Sequence, residues 1–533
     1  MVRNVGFKPY HQEQTLLLPL SLDEFIPANH NARVISAIVD QLDLSDLYAT
    51  YCTTTGQSAY DPRMLVKVLF YATYKGIFSS RAIENELHTD TAFMYLAAMQ
   101  KPTYRTIIRF RSRFFEQLVP IFEQIVQICL NLDLVGLNHV AFDGSKIKAN
   151  ASPKKAMTQE QLKRRIKKLL KKSILTDEEE DEIFGENTPY SFPEELAQDT
   201  KLVKEIERLV AAYNHLQDSG AKRICLSDED ANVMKIGQQH LPGYNLQTAV
   251  DDQNHVIVAV EVTTDENDYH QLIPMVEQVI HNTGRKPTIS SADPGYATYD
   301  NYQYLEDNGL YGLIPDKMHF IETHGRPKYY PKFRFPYDPK RDQYTCPAGR
   351  TLRFVRTQKD KEGELLRLYQ GNCSWCPLHL SCTKASRRTL SRHPREGLIR
   401  AMRARLATPE GKTEYAKRIT VAEAPFGNMK ANHQWRQMVH RGLGKVTGEC
   451  LFHVIGHNLR IICRHVPIER VESLTFMRRT SYSVIESSEK MLLPAGSAGG
   501  RGSEACTGHD CSEGAIGWVL NRESGSIAGM MCA

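Results

Sequence analysis

The sequence lacks any uninterrupted apolar run of about 18 residues, the length that a membrane-spanning helix requires. Its first residues, MVRNVGFKPYHQEQ, also lack the apolar core of a secretion signal. Neither sign of charge is in large excess, because 67 basic residues are offset by 62 acidic ones. These absences predict a cytosolic protein with no membrane partner.

The composition is otherwise that of an ordinary globular protein. Apolar residues make up 41% and charged residues 24%, so most of the chain can bury a core. With 533 residues the chain exceeds one ordinary domain, and we expect two to four structural units. Twelve cysteines in a reducing compartment argue against a disulfide framework, so their spacing matters more than their number.

The charged residues are segregated along the chain. Residues 161–172 (QLKRRIKKLLKK) are strongly basic, residues 177–182 (DEEEDE) are acidic, and residues 383–405 are again rich in Lys and Arg. Basic segments of this kind bind phosphate backbones in some proteins and are merely solvated faces in others. The charge pattern alone leaves both open.

Apolar residues recur at helical spacing through most of residues 20–132. Within this region KPTYRTIIRFRSRFF predicts a helix in which arginines, among them Arg105 and Arg109, project from an apolar stripe. A helix-turn-helix would place such a basic helix on DNA. An ordinary helical bundle with an arginine-rich surface is the alternative.

Two acidic residues each follow a short run that predicts a strand. Asp143 and Asp293 end these runs, and a glycine-containing turn is predicted after each. Between them, residues 243–264 predict a β-hairpin and YHQLIPMVEQVIHNTG predicts a helix. This order indicates a mixed α/β sheet that would gather the two acids at one edge. The alternative for either Asp is a turn or cap residue.

Several motifs carry a family resemblance. FDGSKIKANAS, PGYNLQTAVD and ADPGYATYDNYQYLE are followed by the spacing Y-x2-R-x4-E-x6-K, formed by Tyr415, Arg418, Glu423 and Lys430. Together with YDPRMLVKVLFYATYKGIFSSRAIENEL, they resemble the bacterial insertion-sequence transposases of the DDE type. The resemblance covers about residues 1–465.

The resemblance implies an α/β chain with a ribonuclease-H-like catalytic domain at residues 133–465. A helical DNA-binding domain would precede it at residues 1–132. We expect two insertions in the catalytic domain, one charged and helical at 151–239 and one cysteine-rich at 340–405. Residues 466–533 are rich in Gly and Ser, and we expect a disordered tail there.

The family's site residues carry over to this sequence motif by motif. Asp143, Asp293 and Glu423 would be the catalytic carboxylates and would hold Mg²⁺ or Mn²⁺, which prefer oxygen ligands. Two such ions activate the attacking hydroxyl and stabilise the leaving oxygen in phosphoryl transfer. Tyr415, Arg418 and Lys430 match accessory residues that would grip phosphates. Solvated helix charges are the alternative for Arg418 and Lys430.

The partners implied are double-stranded DNA, as terminal inverted repeats and as target. A homo-oligomer is expected because two ends must be joined, and the location implied is the bacterial cytoplasm, in association with the nucleoid. Two other functions remain open: a decayed or repurposed DNA-binding protein without catalysis, and a ribonuclease-H-like nuclease without strand transfer.

A proline lies close to the predicted third acid. The family commonly has proline directly after its glutamate, whereas Ala424 separates Glu423 from Pro425 here. Because proline is incompatible with the interior of a regular helix, we expect Glu423 at a kink or in the first turn of a helix.

Four cysteines in the second insertion have the spacing C-x26-C-x2-C-x5-C. Such thiolates can complete a tetrahedral zinc site, and the C-x2-C pair is the usual knuckle. The sequence therefore predicts structural zinc, with free thiols, a redox pair or an iron–sulfur cluster as alternatives. The four residues are Cys346, Cys373, Cys376 and Cys382.

Overall fold

A computed structural model of the protein describes residues 21–51, 59–172, 200–325, 327–360, 363–431 and 435–474. Of the tail that was predicted to be disordered, residues 466–474 are described and include a short helix at Ile468–Glu472, whereas residues 475–533 lie outside these ranges. Residues 173–199 of the charged insertion also lie outside the described residues.

The described helices are numbered here in chain order. They are α1 (Asn31–Gln41), α2 (Ser45–Ala49), α3 (Pro62–Lys75), α4 (Ser80–Thr89), α5 (Thr91–Leu96), α6 (Tyr104–Phe114), α7 (Leu118–Asn131), α8 (Gln159–Lys172), α9 (Thr200–Ser219), α10 (Leu272–Thr283), α11 (Tyr299–Asp307), α12 (Lys317–His324), α13 (His379–Cys382), α14 (Glu396–Ala407), α15 (Pro409–Ala431), α16 (Leu443–His465) and α17 (Ile468–Glu472).

The described strands are numbered in the same way. They are β1 (His139–Lys148), β2 (Ala156–Met157), β3 (Ile224–Cys225), β4 (Asn232–Ile236), β5 (Gln239–Asp251), β6 (Ile257–Thr263), β7 (Ile289–Ala292), β8 (Tyr311–Leu313), β9 (Tyr337–Asp338), β10 (Gln343–Thr345), β11 (Thr351–Lys359), β12 (Leu365–Gly371) and β13 (Thr389–Arg392).

The N-terminal helices have clear sequence signals at their ends, as α3 illustrates. The Asp61 side chain accepts a hydrogen bond from the backbone N–H of Arg63 at 2.7 Å and so caps the first turn. Pro62 occupies the first helical position, where a missing N–H costs nothing. Gly76 ends the helix with a φ of +77°, which glycine adopts without steric cost. The described part of residues 20–132 contains helices α1 to α7.

A mixed sheet forms the centre of the described chain. Its strand order is β4, β5, β1, β7, β8, and β6 also pairs with β5. The pairs of β5 with β1, β4 and β6 are antiparallel, whereas β7 is parallel to both β1 and β8. The hairpin predicted at residues 243–264 is confirmed as β5 and β6.

The first strand is longer than the sequence predicted. Strand β1 does not end at Asp143, because antiparallel pairing with β5 continues from Val140 to Lys148. Pairing with β7, in contrast, stops at Phe142. Asp143 therefore lies inside β1 at the point where one neighbouring strand ends, and Gly144 belongs to the strand rather than to a turn.

Helix α16 joins the N-terminal helices to the sheet. It contacts α3 and α7 on one part of its surface and β6 on another. The Asn458 side chain accepts a hydrogen bond from the Ile257 N–H at 3.0 Å and donates one to the Ile257 carbonyl at 2.9 Å. These two bonds satisfy the backbone of the first residue of β6 and fix the helix against the sheet.

The two segments that were predicted to be insertions have separate small cores. In the charged insertion, α8 and α9 pack together through Leu162, Ile166, Ile206 and Leu209, as expected for a pair of helices. In the cysteine-rich insertion, β9 to β13 form an antiparallel sheet in chain order. The core of that sheet consists mainly of aromatic and aliphatic side chains: Phe335, Tyr344, Leu352, Tyr369, Cys382 and Leu390.

Within the described ranges, no helix combines the length and the apolar character that a membrane crossing requires.

Candidate active site

Strands β1 and β7 place two aspartates side by side. The last parallel pair of these strands is Phe142 with Ala292, so Asp143 and Asp293 are the next residues on the two strands. The Asp293 side chain accepts a hydrogen bond from the Gly295 N–H at 2.7 Å and so fixes the turn that follows β7. The structure thus brings together two of the three acids that the sequence singled out.

Burial and neighbouring charges act on both carboxyls. Burial raises the pKa of Asp143 to about 6, with Arg418 opposing the rise and Asp293 adding to it. Burial also raises the pKa of Asp293, and the hydrogen bond from the Gly295 N–H, which lowers this pKa, opposes the rise. Two adjacent, partly desolvated carboxyls disfavour joint ionisation, and a bound cation would relieve that cost.

Helix α15 lies across β1 and presents cationic groups to this site. The Arg418 guanidinium is 4.0 Å from an Asp143 carboxylate oxygen and lies over the Tyr415 ring, 5.8 Å from the ring centre. The Lys430 ammonium donates a hydrogen bond to the Ser145 hydroxyl, two residues beyond Asp143 on β1. Tyr415, Arg418 and Lys430 therefore all lie on the side of β1 where Asp143 is found.

A buried histidine fixes the start of the same helix. His139 lies four residues before Asp143 on the same face of β1, and its ring hydrogen-bonds to the Ser291 hydroxyl on β7 at 2.7 Å. Its other ring nitrogen is 3.3 Å from a Glu414 carboxylate oxygen on α15. Burial lowers the pKa of His139, which favours the neutral ring. This contact holds α15 one turn before Arg418.

Glu423 has a different environment from the two aspartates. Its side chain is exposed on α15, and it makes no hydrogen bond or ion pair with another residue in the described part of the chain. The expectation for Glu423 was a kink or a first turn. Helix α15 begins at Pro409 and runs through Pro425 to Ala431, so Glu423 does not lie in its first turn, and a kink at Pro425 stays a prediction. Proline lacks the N–H that would bond the carbonyl four residues before it, and its ring crowds that carbonyl, which is the physical reason to expect a kink there.

A third aspartate lies beside the first two and was missed by the sequence analysis. The Asp268 carboxylate accepts hydrogen bonds from the side-chain amides of Asn245 and Gln247, both at 2.7 Å. Its charge further raises the pKa of both Asp143 and Asp293. A signal was present, because Asn245 and Gln247 alternate as buried polar residues in the largely apolar strand β5.

The four cysteines of the second insertion line one cavity of about 20 Å³. The Arg350 N–H donates to the Cys346 sulfur and the Arg388 N–H donates to the Cys373 sulfur, both at 3.2 Å. Such bonds favour a sulfur that carries negative charge, as a metal-bound thiolate does. Among the described residues, however, no group of three His, Cys, Asp or Glu side chains is arranged so that it could hold a metal ion. The cysteines share a cavity without forming a closed tetrahedron.

The predicted DNA-contacting arginines lie on α6. Arg105 and Arg109 are both exposed, one turn apart. Arg111 is turned inward instead, because its guanidinium donates to the Phe78 carbonyl at 2.7 Å. Only part of the arginine row on this helix is therefore available to a ligand.

Two family models match the chain. Residues 345–463 match a model described as the transposase DDE domain. Residues 20–113 match a model described as a transposase domain, DUF772. The first match includes Glu423 and the four cysteines, whereas Asp143 and Asp293 lie outside both matches. No curated protein matches the chain. Since both models are transposase models and occur in the order expected from the motifs, the matches support an insertion-sequence transposase of the DDE type.

Proposed function

We propose that this transposase cleaves the ends of its own insertion sequence and joins the freed 3′ hydroxyl to target DNA. The observation that carries the proposal is the pair Asp143 and Asp293, adjacent on β1 and β7 and both with raised pKa values. Perturbed carboxyls that neighbour each other are typical of sites built to bind a cation.

The sheet supports a ribonuclease-H-like catalytic domain. Three antiparallel strands in the order β6, β5, β1 are continued by the parallel strands β7 and β8. This is the order and direction expected of that fold, in which the first and fourth strands bring acids together. We assign residues 133–465 to the catalytic domain and residues 1–132 to a DNA-binding domain.

The donor set suits a hard divalent cation. Mg²⁺ is commonly held by one or two carboxylates together with phosphate oxygens of the substrate, so two aspartates and a DNA phosphate meet its needs. When bound, Mg²⁺ or Mn²⁺ lowers the pKa of an attacking oxygen and stabilises the leaving one. In this proposal Asp143 and Asp293 hold the ion, and Glu423 is the third carboxylate.

The cationic groups of α15 have a separate task. Arg418 is largely buried beside Asp143, and Lys430 reaches Ser145 on the same strand. A DNA phosphate entering between the aspartates would meet both positive charges. We propose that Arg418, Lys430 and the Tyr415 ring orient the scissile phosphate, while the buried setting excludes water from all but the reacting position.

The test is cleavage of a labelled duplex that carries the element's own end, with Mg²⁺ or Mn²⁺. Asp143→Asn, Asp293→Asn and Glu423→Gln should each reduce cleavage at least about a hundredfold while end binding stays nearly intact, because these groups hold metal rather than read bases. Glu410→Gln, an exposed glutamate on the same helix, is the matched control. A variant that cleaves at the wild-type rate would remove its residue from the site.

A decayed, DNA-binding function is the second candidate. The observation that favours it is the exposed position of Glu423, in contrast to the largely buried Asp143 and Asp293. Binding of the element end without any cutting, in the wild type and in all three variants, would support it.

The remaining expectations extend the proposal to the rest of the molecule. We propose that Arg105 and Arg109 contact DNA phosphates and that Cys346, Cys373, Cys376 and Cys382 hold a structural Zn²⁺, supported by their shared cavity. Two copies are needed to join two ends, so a homo-oligomer acts on the terminal repeats and the target DNA. We place it in the cytoplasm, on the nucleoid.

A further inference from the structure

The two active-site aspartates are each followed closely by a glycine, and one carboxylate lies between these glycines. A Cβ atom on Gly144 would come within 2.6 Å of an Asp268 carboxylate oxygen, and a Cβ on Gly295 would come within 3.2 Å of the other. Asp268 thus occupies the space that both glycines leave free. Its place is defined by close packing on two sides.

The Asp268 carboxylate also organises buried polar groups. Asn245 and Gln247 are at most 1% exposed, and both direct a side-chain N–H to the same Asp268 oxygen at 2.7 Å. Gln247 stands opposite Gly144 in the pairing of β5 with β1. Because both buried amides donate to the same Asp268 oxygen, their orientation is fixed. If either amide group were rotated by half a turn, its own oxygen would face the Asp268 oxygen.

The orientation of Gln247 reaches the Asp293 turn. With its N–H group on Asp268, the Gln247 side-chain oxygen faces Tyr296 and accepts a hydrogen bond from the Tyr296 hydroxyl. Tyr296 is fully buried and closes the turn whose first residue is Asp293. A continuous set of contacts therefore runs from Asp268 through Gln247 and Tyr296 to the Asp293 turn.

We propose that Asp268 is a positioning residue of the active site, which fixes the Asp293 carboxyl relative to Asp143 through Gln247 and Tyr296. The proposal rests on the proposed function, since it takes these two aspartates as the cation-binding pair. Asp268 acts by accepting hydrogen bonds. An asparagine can present the same acceptor oxygen, whereas an alanine cannot.

The experiment is Mn²⁺ binding to the purified full-length protein without DNA, measured by calorimetry, with thermal unfolding of the same samples. Asp268→Ala should weaken Mn²⁺ binding about tenfold, the lower end of what loss of an outer-shell partner costs. Asp268→Asn should bind Mn²⁺ within about threefold of the wild type, because it keeps the hydrogen bonds.

Two controls separate positioning from general stability. Asp265→Asn changes an exposed aspartate three residues away, and its Mn²⁺ binding should equal that of the wild type. Gly448→Ala should destabilise the contact between α16 and Phe115, which lies away from Asp268. It should also leave Mn²⁺ binding unchanged. A positioning role predicts that Mn²⁺ binding follows the hydrogen bonds at residue 268 and not the melting temperature.

The outcomes distinguish this proposal from the proposed function. Wild-type Mn²⁺ binding by Asp268→Ala, or equally weak binding by Asp268→Asn and Asp268→Ala, overturns the positioning role if Asp143→Asn still loses binding. Undiminished binding by Asp143→Asn overturns the cation site itself, and the role of Asp268 with it.

Discussion

Asp143 is the residue whose ionisation the fold changes most clearly within the described site. Burial raises its pKa from 3.8 to about 6. A carboxyl with a raised pKa in the folded state stabilises the fold while it is protonated. That contribution is complete below the unfolded-state pKa and is lost as the pH rises through the folded-state pKa.

Asp143→Asn should therefore stabilise the metal-free protein at neutral and alkaline pH. Because asparagine cannot ionise, the free energy of unfolding should exceed that of the wild type by on the order of 2 kcal/mol at about pH 8 and by much less at about pH 4. Urea unfolding in a chelating buffer at both pH values measures this. Asp218→Asn, at an exposed position on α9, should show no such pH-dependent gain.

The three aspartates of the site differ in how clearly the sequence marks them. Asp143 and Asp293 were identified from the strands before them and the glycines after them. Asp268 stands in the loop after β6, and its role depends on the amides of Asn245 and Gln247, which reach it only once the sheet has formed. The sequence shows two polar residues in the largely apolar strand β5, but it does not show that Asp268 is the residue they bond.

Among the elements, α16 depends on one glycine for its closest contact. A Cβ atom on Gly448 would lie 2.4 Å from the ring of Phe115. Real Cβ atoms do not approach so closely, and the buried ring has little room to move. This contact sets the distance between α16 and the end of α6.

Gly448→Ala should therefore destabilise the protein by about 1–3 kcal/mol, the usual cost of overpacking. Gly444→Ala in the same helix meets no atom within 4 Å. It should be neutral or stabilising by up to about 1 kcal/mol, because alanine is the better helix former. Thermal unfolding of the two variants side by side measures the difference, and equal stability would show that α16 shifts freely against Phe115.

The cysteine-rich sheet is the element in which a metal would matter most. Its core is small, and the four cysteines line a cavity beside it. Elemental analysis of protein purified without chelator should give about one zinc per chain.

Removing that zinc should loosen this sheet before the central one. Cys376→Ser should lower the zinc content and expose β11 to β13 to limited proteolysis, whereas Cys129→Ser, in the core of α7, should leave the zinc content unchanged. A correctly folded wild-type preparation free of zinc would refute the site.

At the scale of the whole molecule, DNA binding should draw on charges far from the carboxylates. Arg105 and Arg109 are exposed on α6, and phosphate contacts release condensed counterions. Replacing both by alanine should weaken binding to the element end and reduce the slope of log affinity against log salt by about 2. Lys286→Ala, an exposed cation outside the N-terminal helices, is the control. An unchanged slope would remove α6 from the DNA interface.

The sequence by itself indicated the helices of residues 20–132, the hairpin of β5 and β6, the two aspartates at β1 and β7, and the resemblance to the DDE transposases. Local signals carry these features, because periodicity, caps and short motifs act within a few residues. Only the tertiary structure decided that β1 runs past Asp143, that Glu423 is exposed beside a proline inside α15, and that Asp268 lies between Gly144 and Gly295. The length of β1 depends on its pairing with β5, a strand much later in the chain, and the place of Asp268 depends on side chains that meet only in the folded sheet. Such contacts join separate parts of the chain, and a local sequence pattern does not encode them.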